Sequence, residues 1–390
     1  MSARLNASLL LLAAATIFTP GCVPAIQRYE IIDPATLHDG YPGRAWLRYP
    51  SPQAAGWSEE KLARARDYST EIGSAAVLVI HDGAVVDAWG EVDKRILVHS
   101  VRKSLLCALI GIQVEQGTID LQQTLAELGI DDEPPLTEEE RSARVIDLLR
   151  SRSGIYHPAA AESKSMKQGR PQRGSSKPGE RWWYNNWDFN ALGTIFENLG
   201  GESVFEAFQR QIATPTGMEH FRIEDGYHLL RKELSIHKAY HFRMTANDLA
   251  RFGLLFLRGG RWRGRQIVSR AWVEESTRPH SRTGRKGMDY GYMWWIGLPG
   301  PLAGEKIISA LGWGGHMVNI LPEDNIVVVH RMNTESGERV GGAECRELLR
   351  LILEARPPRA EPVSLVASPP RPLPRRSWPA PRPCPAPWSW

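Results

Sequence analysis

The chain has 390 residues, long enough to bury a large core and to form one or two structural units. Apolar residues make up 42% and charged residues 24%, the ordinary balance of a globular protein. The formal net charge is +4, but residues 357–390 carry five Arg and one Glu and so hold all of it, which leaves residues 1–356 with no basic excess to attract nucleic acid.

At the N-terminus, Arg4 precedes an apolar run from Ala7 to Phe18, too short to span a bilayer and typical of a signal peptide. "TPGC" follows and resembles a bacterial lipobox, whose cysteine is lipidated and becomes the new N-terminus. Thr19 departs from that pattern, standing where such boxes prefer Leu. Residues 1–22 are therefore expected to be a signal peptide, with Cys22 as the lipidation site. The chain is expected to be exported, either periplasmic or held at a membrane only through that lipid. A secreted protein without lipid, or an uncleaved anchor, is the alternative.

Residues 23–56 form an irregular, Pro-containing lead, and residues 57–356 hold the folded body. "SEEKLARARDYSTEIG" (58–73) predicts a capped helix, and the β-rich runs around Asp82-Gly83 predict a hairpin. "LVHSVRKSLLCALIGIQVEQG" (97–117) predicts an amphipathic helix opened by a serine. "LTEEERSARVIDLLRSRSG" predicts another, with a capping box from Thr137 to Glu140 and a stop at Gly154. Residues 156–180 are polar and predict a long loop. Helices follow at 187–199, 202–213 and 245–260. Short strands are expected at 290–298, 305–312, 315–322 and 325–333, with a turn at 322–325 and a last helix over 340–355. Residues 357–390 hold 12 Pro in 34 positions and predict a disordered, Pro/Arg-rich tail.

Strands come early and late, with helices between. The expected class is α+β: a mostly antiparallel sheet built from the first hairpin and the last meander, flanked by helices, with a helical region inserted between its halves. Cys107 and Cys345 could pair, but two buried free thiols fit better, and no Cys/His metal spacing appears. His237 and His241 are four apart without an accompanying glutamate, and read as two ordinary polar histidines rather than metal ligands. No metal or organic cofactor is expected.

Ser100 and Lys103 stand three apart at a helix start, so they share a face. The free N–H groups and dipole of a first helical turn favour negative charge, and a lysine buried by "LLCALIGI" could take the serine proton. The spacing alone is weak, because S-x-x-K recurs at Ser58–Lys61 and Ser235–Lys238. The competing reading of Ser100 is a plain N-cap. "YNN" (184–186) precedes a helix and could relay protons or orient an amine, or could simply be a packed loop. "WGGH" (313–316) opens a strand, and its glycines allow close approach or merely form a tight turn.

In this order the three segments resemble the serine β-lactamase and penicillin-binding-protein superfamily, in the branch where Y-x-N replaces S-D-N. That branch includes class C β-lactamases, D-Ala-D-Ala carboxypeptidases, esterases and 6-aminohexanoate-dimer hydrolases. "LLRSRSGIYH", "YGYMWWI" and the segment from Phe242 through "EEST" extend the likeness over roughly 57–355. The resemblance implies Ser100 as acylated nucleophile, Lys103 as its base, and Tyr184 as proton donor to the leaving group. It implies Asn186 as the residue orienting Lys103 and substrate, and the backbone N–H groups of Ser100 and His316 as the oxyanion hole. The cationic residue that opens the family's last motif is replaced by Trp313, followed by Gly314 and Gly315. That change points away from β-lactams and D-Ala-D-Ala peptides, toward small neutral esters or amides, as in the esterase members. β-Lactamase or carboxypeptidase activity, or a non-catalytic ligand-binding relative, are the alternatives. Of the 14 tryptophans, Trp182, Trp183 and Trp187 surround the tyrosine motif and Trp294 and Trp295 precede the last one; core packing explains most of them, and one or two are expected to wall an apolar substrate pocket.

Overall fold

Asp82 and Gly83 both take positive φ, 51° and 83°, the turn that matches the twist of a two-stranded hairpin. The strands it joins, Ala76–His81 and Ala84–Gly90, are buried through most of their length. They are the third and fourth strands of a ten-stranded sheet. The order is Tyr29–Ile31, Trp46–Arg48, Ala84–Gly90, Ala76–His81, Ile326–Arg331, His316–Leu321, Ile308–Gly312, Trp295–Ile296, Met288–Tyr290 and Ser281–Arg285. This computed structural model describes residues 29–37 and 40–359; the signal-like segment with Cys22 and nearly all of the Pro-rich tail lie outside the described residues.

The early hairpin and late meander meet where Ile326–Arg331 pairs antiparallel with Ala76–His81, Ile326 opposite His81 and Arg331 opposite Ala76. The α+β class holds, and the sheet is antiparallel from the hairpin to its far edge. At the other edge lie two three-residue strands within the segment read as an irregular lead. Both pair parallel, Trp46–Arg48 against the hairpin through Arg48 and Val85. Strands so short carry no readable alternation, and they form because that edge offers unpaired backbone groups.

Between the halves lies the inserted region. The predicted helix over 137–154 is instead two short ones, Glu138–Arg141 and Val145–Leu149, although the capping box of Thr137 and Glu140 is present. The break has a cause: Leu125 N and Ala126 N take the carbonyls of Ala143 and Arg141. An unpredicted hairpin, Gly226–Arg231 with Ser235–Met244, joins Ile96–Leu97 in a three-stranded sheet. The loop over 156–180 contains a short helix, Lys164–Gly169. Helix Ala246–Leu257 packs on strands Ile326–Arg331 and His316–Leu321.

The helix Val101–Glu115 departs most from expectation. It is not amphipathic in its setting, because every residue from Val101 to Gln113 is buried. A helix enclosed on all sides suits its apolar run, but it carries Arg102 and Lys103 inside as well. Cys107 lies on it as a buried free thiol, as does Cys345 in helix Gly342–Glu354. This helix packs closely at Gly111, where an added Cβ would come 2.2 Å from the Trp272 ring, whose Nε1 donates to Cys107 O at 3.0 Å. Gly111→Ala should therefore destabilise the protein by about 1–3 kcal/mol through overpacking despite alanine's better helix propensity, measured as a fall in the urea midpoint.

Candidate active site

Ser100 occupies the N-cap of Val101–Glu115, but its hydroxyl makes no capping hydrogen bond. The other two S-x-x-K matches turn out differently. Ser58 caps Glu59–Glu71, accepting from Lys61 N at 3.4 Å. Ser235 sits in a strand, and Lys238 lies 3.6 Å from Glu197. At Ser100 the hydroxyl is left for Lys103, whose Nζ is 2.7 Å away. Ser100 is partly exposed, whereas Lys103 is only 1% exposed.

Burial, helped by the neighbouring Arg102 charge, pushes the Lys103 ammonium well below its usual pKa. Among the described residues no carboxylate forms an ion pair with it. Its Nζ instead faces the rings of Tyr184 at 4.7 Å and Phe189 at 4.9 Å. Burial pushes the Tyr184 phenol up to about 12, opposed in part by a hydrogen bond with Ser100, so near neutral pH it keeps its proton. An amine whose pKa is depressed and a protonated phenol thus flank one serine oxygen.

Tyr184 is fixed by an aromatic cluster, with Trp295 at 5.2 Å, Phe189 at 5.1 Å and Tyr290 at 5.9 Å between ring centroids. Trp182 meets Trp295 at 6.0 Å. Of the candidate wall residues, Trp182 and Trp295 therefore stand next to Tyr184. Trp294 is a core residue stacked on Phe252, and buried Trp187 donates to Asp132. Asn185, not Asn186, caps the helix Asn186–Gly200, accepting from Trp187 N at 3.2 Å. The Asn186 Nδ2 donates to the Ala161 carbonyl at 2.6 Å and, longer, to that of Ala160. These hydrogen bonds hold the 160–161 loop, and the buried Oδ1 of Asn186 has no hydrogen-bond partner among the described residues.

The last motif reaches Ser100 through the end of strand Ile308–Gly312. A Cβ on Gly312 would lie 2.6 Å from Val98 O and 3.4 Å from His99 Cβ, so the missing side chain lets this strand touch the turn that leads into Ser100. Gly314 and Gly315 have φ of 84° and 107° and make the turn between the strands. His330 Nδ1 donates to the Gly315 carbonyl at 2.6 Å. Trp313 is 48% exposed beside the site, with its ring 5.3 Å from His99 and the Arg339 guanidinium 5.8 Å above it. The His316 side chain turns inward, fully buried, and its Nδ1 accepts from Arg331 Nε at 3.0 Å.

Three participants escaped the sequence reading. Arg102 is buried beside Lys103, with its guanidinium 4.5 Å over Tyr240 and Nη2 donating to Asn190. An arginine next to the lysine looks like any charged pair until the helix is known to be buried. His99 and Thr334 are joined to the last motif by contacts that no spacing foretells. His237 and His241 lie on the extended strand Ser235–Met244, about 13 Å apart at strand rise, which rules out a shared metal ion. Among the described residues no group of three His, Cys, Asp or Glu is placed to hold one.

The family model described as Beta-lactamase matches residues 60–350. No curated protein sequence matches the chain. Similar solved structures include a Bacillus anthracis protein provisionally assigned as a 6-aminohexanoate-dimer hydrolase, with TM-score 0.57 and 19% identity over 74% of this chain and 80% of that one. An octameric penicillin-binding-protein homologue from Pyrococcus abyssi has TM-score 0.58 and 22% identity over 76% and 78%. A class C β-lactamase has TM-score 0.53 and 15% identity over 76% and 94%. At such identities these likenesses speak for the fold. With the family model spanning most of the chain, the protein belongs to the beta-lactamase family, within the serine β-lactamase and penicillin-binding-protein-like superfamily of serine hydrolases.

Proposed function

We propose that the protein hydrolyses a carboxylic ester or amide through an acyl-enzyme on Ser100. The observation that carries this reading is the 2.7 Å approach of a buried, unpaired Lys103 amine to a serine hydroxyl that caps nothing. The neutral amine takes the proton from Ser100 Oγ as the oxygen attacks the substrate carbonyl carbon. The backbone N–H groups of Ser100 and His316 take up the negative charge that develops on the carbonyl oxygen, each donor contributing about 2.7–4 kcal/mol. Tyr184 delivers a proton to the departing alcohol or amine. Water then attacks the acyl-enzyme, giving its proton to the Tyr184 phenolate, while the Lys103 ammonium returns its proton to Ser100 Oγ, so that the acid and free Ser100 are released and both groups are restored.

Trp313 supports a neutral substrate, since it places an apolar ring where a motif cation would bind a carboxylate, and the aromatics around Tyr184 favour an apolar acyl group. Arg339 above Trp313 is the one observation favouring the second reading, a carboxylate-bearing β-lactam or D-Ala-D-Ala peptide. A fluorophosphonate probe should label the wild type and not Ser100→Ala, and p-nitrophenyl acyl esters should turn over faster than nitrocefin. A folded wild type that stays unlabelled removes the enzyme reading in favour of a ligand-binding relative, and the opposite order of substrates moves the choice to a β-lactamase.

Because Lys103 acts as a base only when neutral, kcat/KM should rise with pH through the Lys103 pKa, which burial sets well below 10.5. Lys103→Arg should lose at least about 1,000-fold at every pH, as a guanidinium stays protonated. An ascending limb at the ordinary lysine pKa, read from ester hydrolysis across pH, would contradict this assignment. We also propose export with lipidation at Cys22; intact-mass analysis of protein purified from a bacterial membrane fraction should show a chain starting at a diacylglyceryl-modified Cys22.

A further inference from the structure

Arg331 lies at the end of the central strand and is buried, with its guanidinium fully engaged. Its Nη1 donates to Met244 O at 2.8 Å and its Nη2 to Ile96 O at 2.8 Å, while its Nε donates to His316 Nδ1 at 3.0 Å. Arginine can only donate, so His316 Nδ1 must accept, and the neutral ring carries its proton on Nε2. That Nε2 lies 3.4 Å from Thr334 Oγ1, and Thr334 Oγ1 lies 2.8 Å from His99 Nε2. Having accepted from His316, the hydroxyl gives its own proton to His99. Both rings stay neutral at ordinary pH: burial, then Arg331, pushes His316 well below its usual value and His99 down to about 4.

His99 takes φ of 49°, a left-handed conformation uncommon for a residue with a side chain. Such a backbone persists only where its surroundings impose it. Here the His99 ring sits 5.3 Å from His316 and 5.3 Å from Trp313. Thr334 also touches the motif directly, since a Cβ on Gly314 would meet its Cγ2 at 2.4 Å. One threonine thus contacts both sides of the site. The His99–Ser100 peptide carries one expected oxyanion donor, and the Gly315–His316 peptide carries the other.

We propose that Thr334 is a positioning residue that clamps these two peptide units together through His99 and His316, setting the spacing of the two oxyanion donors. The clamp rests on the acyl-enzyme reading above. It acts on the developing oxyanion rather than on ground-state binding, so its loss appears in kcat and not in KM.

Thr334→Val keeps the methyl against Gly314 and removes the hydroxyl. It should lower kcat for a p-nitrophenyl ester by about tenfold or more with KM within about twofold, and weaken a boronic acid inhibitor, which forms a tetrahedral adduct, by a similar factor. Thr334→Ser should return both to within about threefold of wild type. His99→Asn, which tolerates the left-handed backbone but cannot reach Thr334, should repeat the loss and provides the test if the valine variant does not fold. Wild-type kcat and boronate affinity in the folded valine variant, or in His99→Asn, overturns the clamp, as does a serine variant as impaired as the valine one. Fluorophosphonate labelling of wild type keeps the two ideas separate: labelling with unchanged Thr334→Val kinetics defeats only the clamp, whereas an unlabelled wild type defeats the acyl-enzyme reading and the clamp with it.

Discussion

A buried lysine amine, 2.7 Å from a serine oxygen and with no carboxylate ion-paired to it among the described residues, is the constraint around which this molecule is arranged. In water, or paired with an acid, its pKa would stay in the ordinary lysine range. The depression of the Lys103 pKa depends on the burial of residues 101–113 within the helix Val101–Glu115, and that enclosure depends on both halves of the chain. The inserted region covers it with Phe189 and Tyr240, and the late segment closes on it at Met293, whose carbonyl accepts from Ser104 Oγ at 2.8 Å. The environment of the Ser100–Lys103 pair is thus a consequence of the fold and not a local device.

The same burial makes the site costly. Arg102 and Arg331 are buried cations without ion-pair partners among the described residues, and their charges add to the depression of Lys103 and His316. Carbonyls and side-chain acceptors compensate them: Met244, Ile96 and Asn190 accept their hydrogen bonds. Each arginine ties an element of the site to a more distant one, Arg102 linking the serine helix to Asn186–Gly200 and Arg331 linking the central strand to the segment that enters Ser100. A local excess of positive charge suits a reaction whose intermediate is an oxyanion.

Aromatic packing does for Tyr184 what burial does for Lys103. Trp295, Tyr290 and Phe189 pack around the ring, and burial raises the phenol to about 12, so that it keeps its proton near neutral pH. The mouth of the site is built differently. Trp313 is half exposed there, against His99 and Arg339, so the identity of the group it meets is left to the substrate.

Much of this was legible from the residues alone, and the reason is physical. Hairpins, caps and helix stops are written in local chemistry, so Asp82-Gly83, the Thr137–Glu140 box and the positions of the long helices could be read directly. The pairing of Ser100 with Lys103 follows from helical periodicity, and the order of the three motifs followed from the chain itself. What local chemistry does not contain is the environment. Only the tertiary structure decided that Ser100 caps nothing while Ser58 does, that Asn186 serves a loop, that His316 turns inward onto Arg331, and that three-residue strands extend the sheet. Burial, and the protonation states that depend on it, arises from residues hundreds of positions apart, and no window of sequence records that distance.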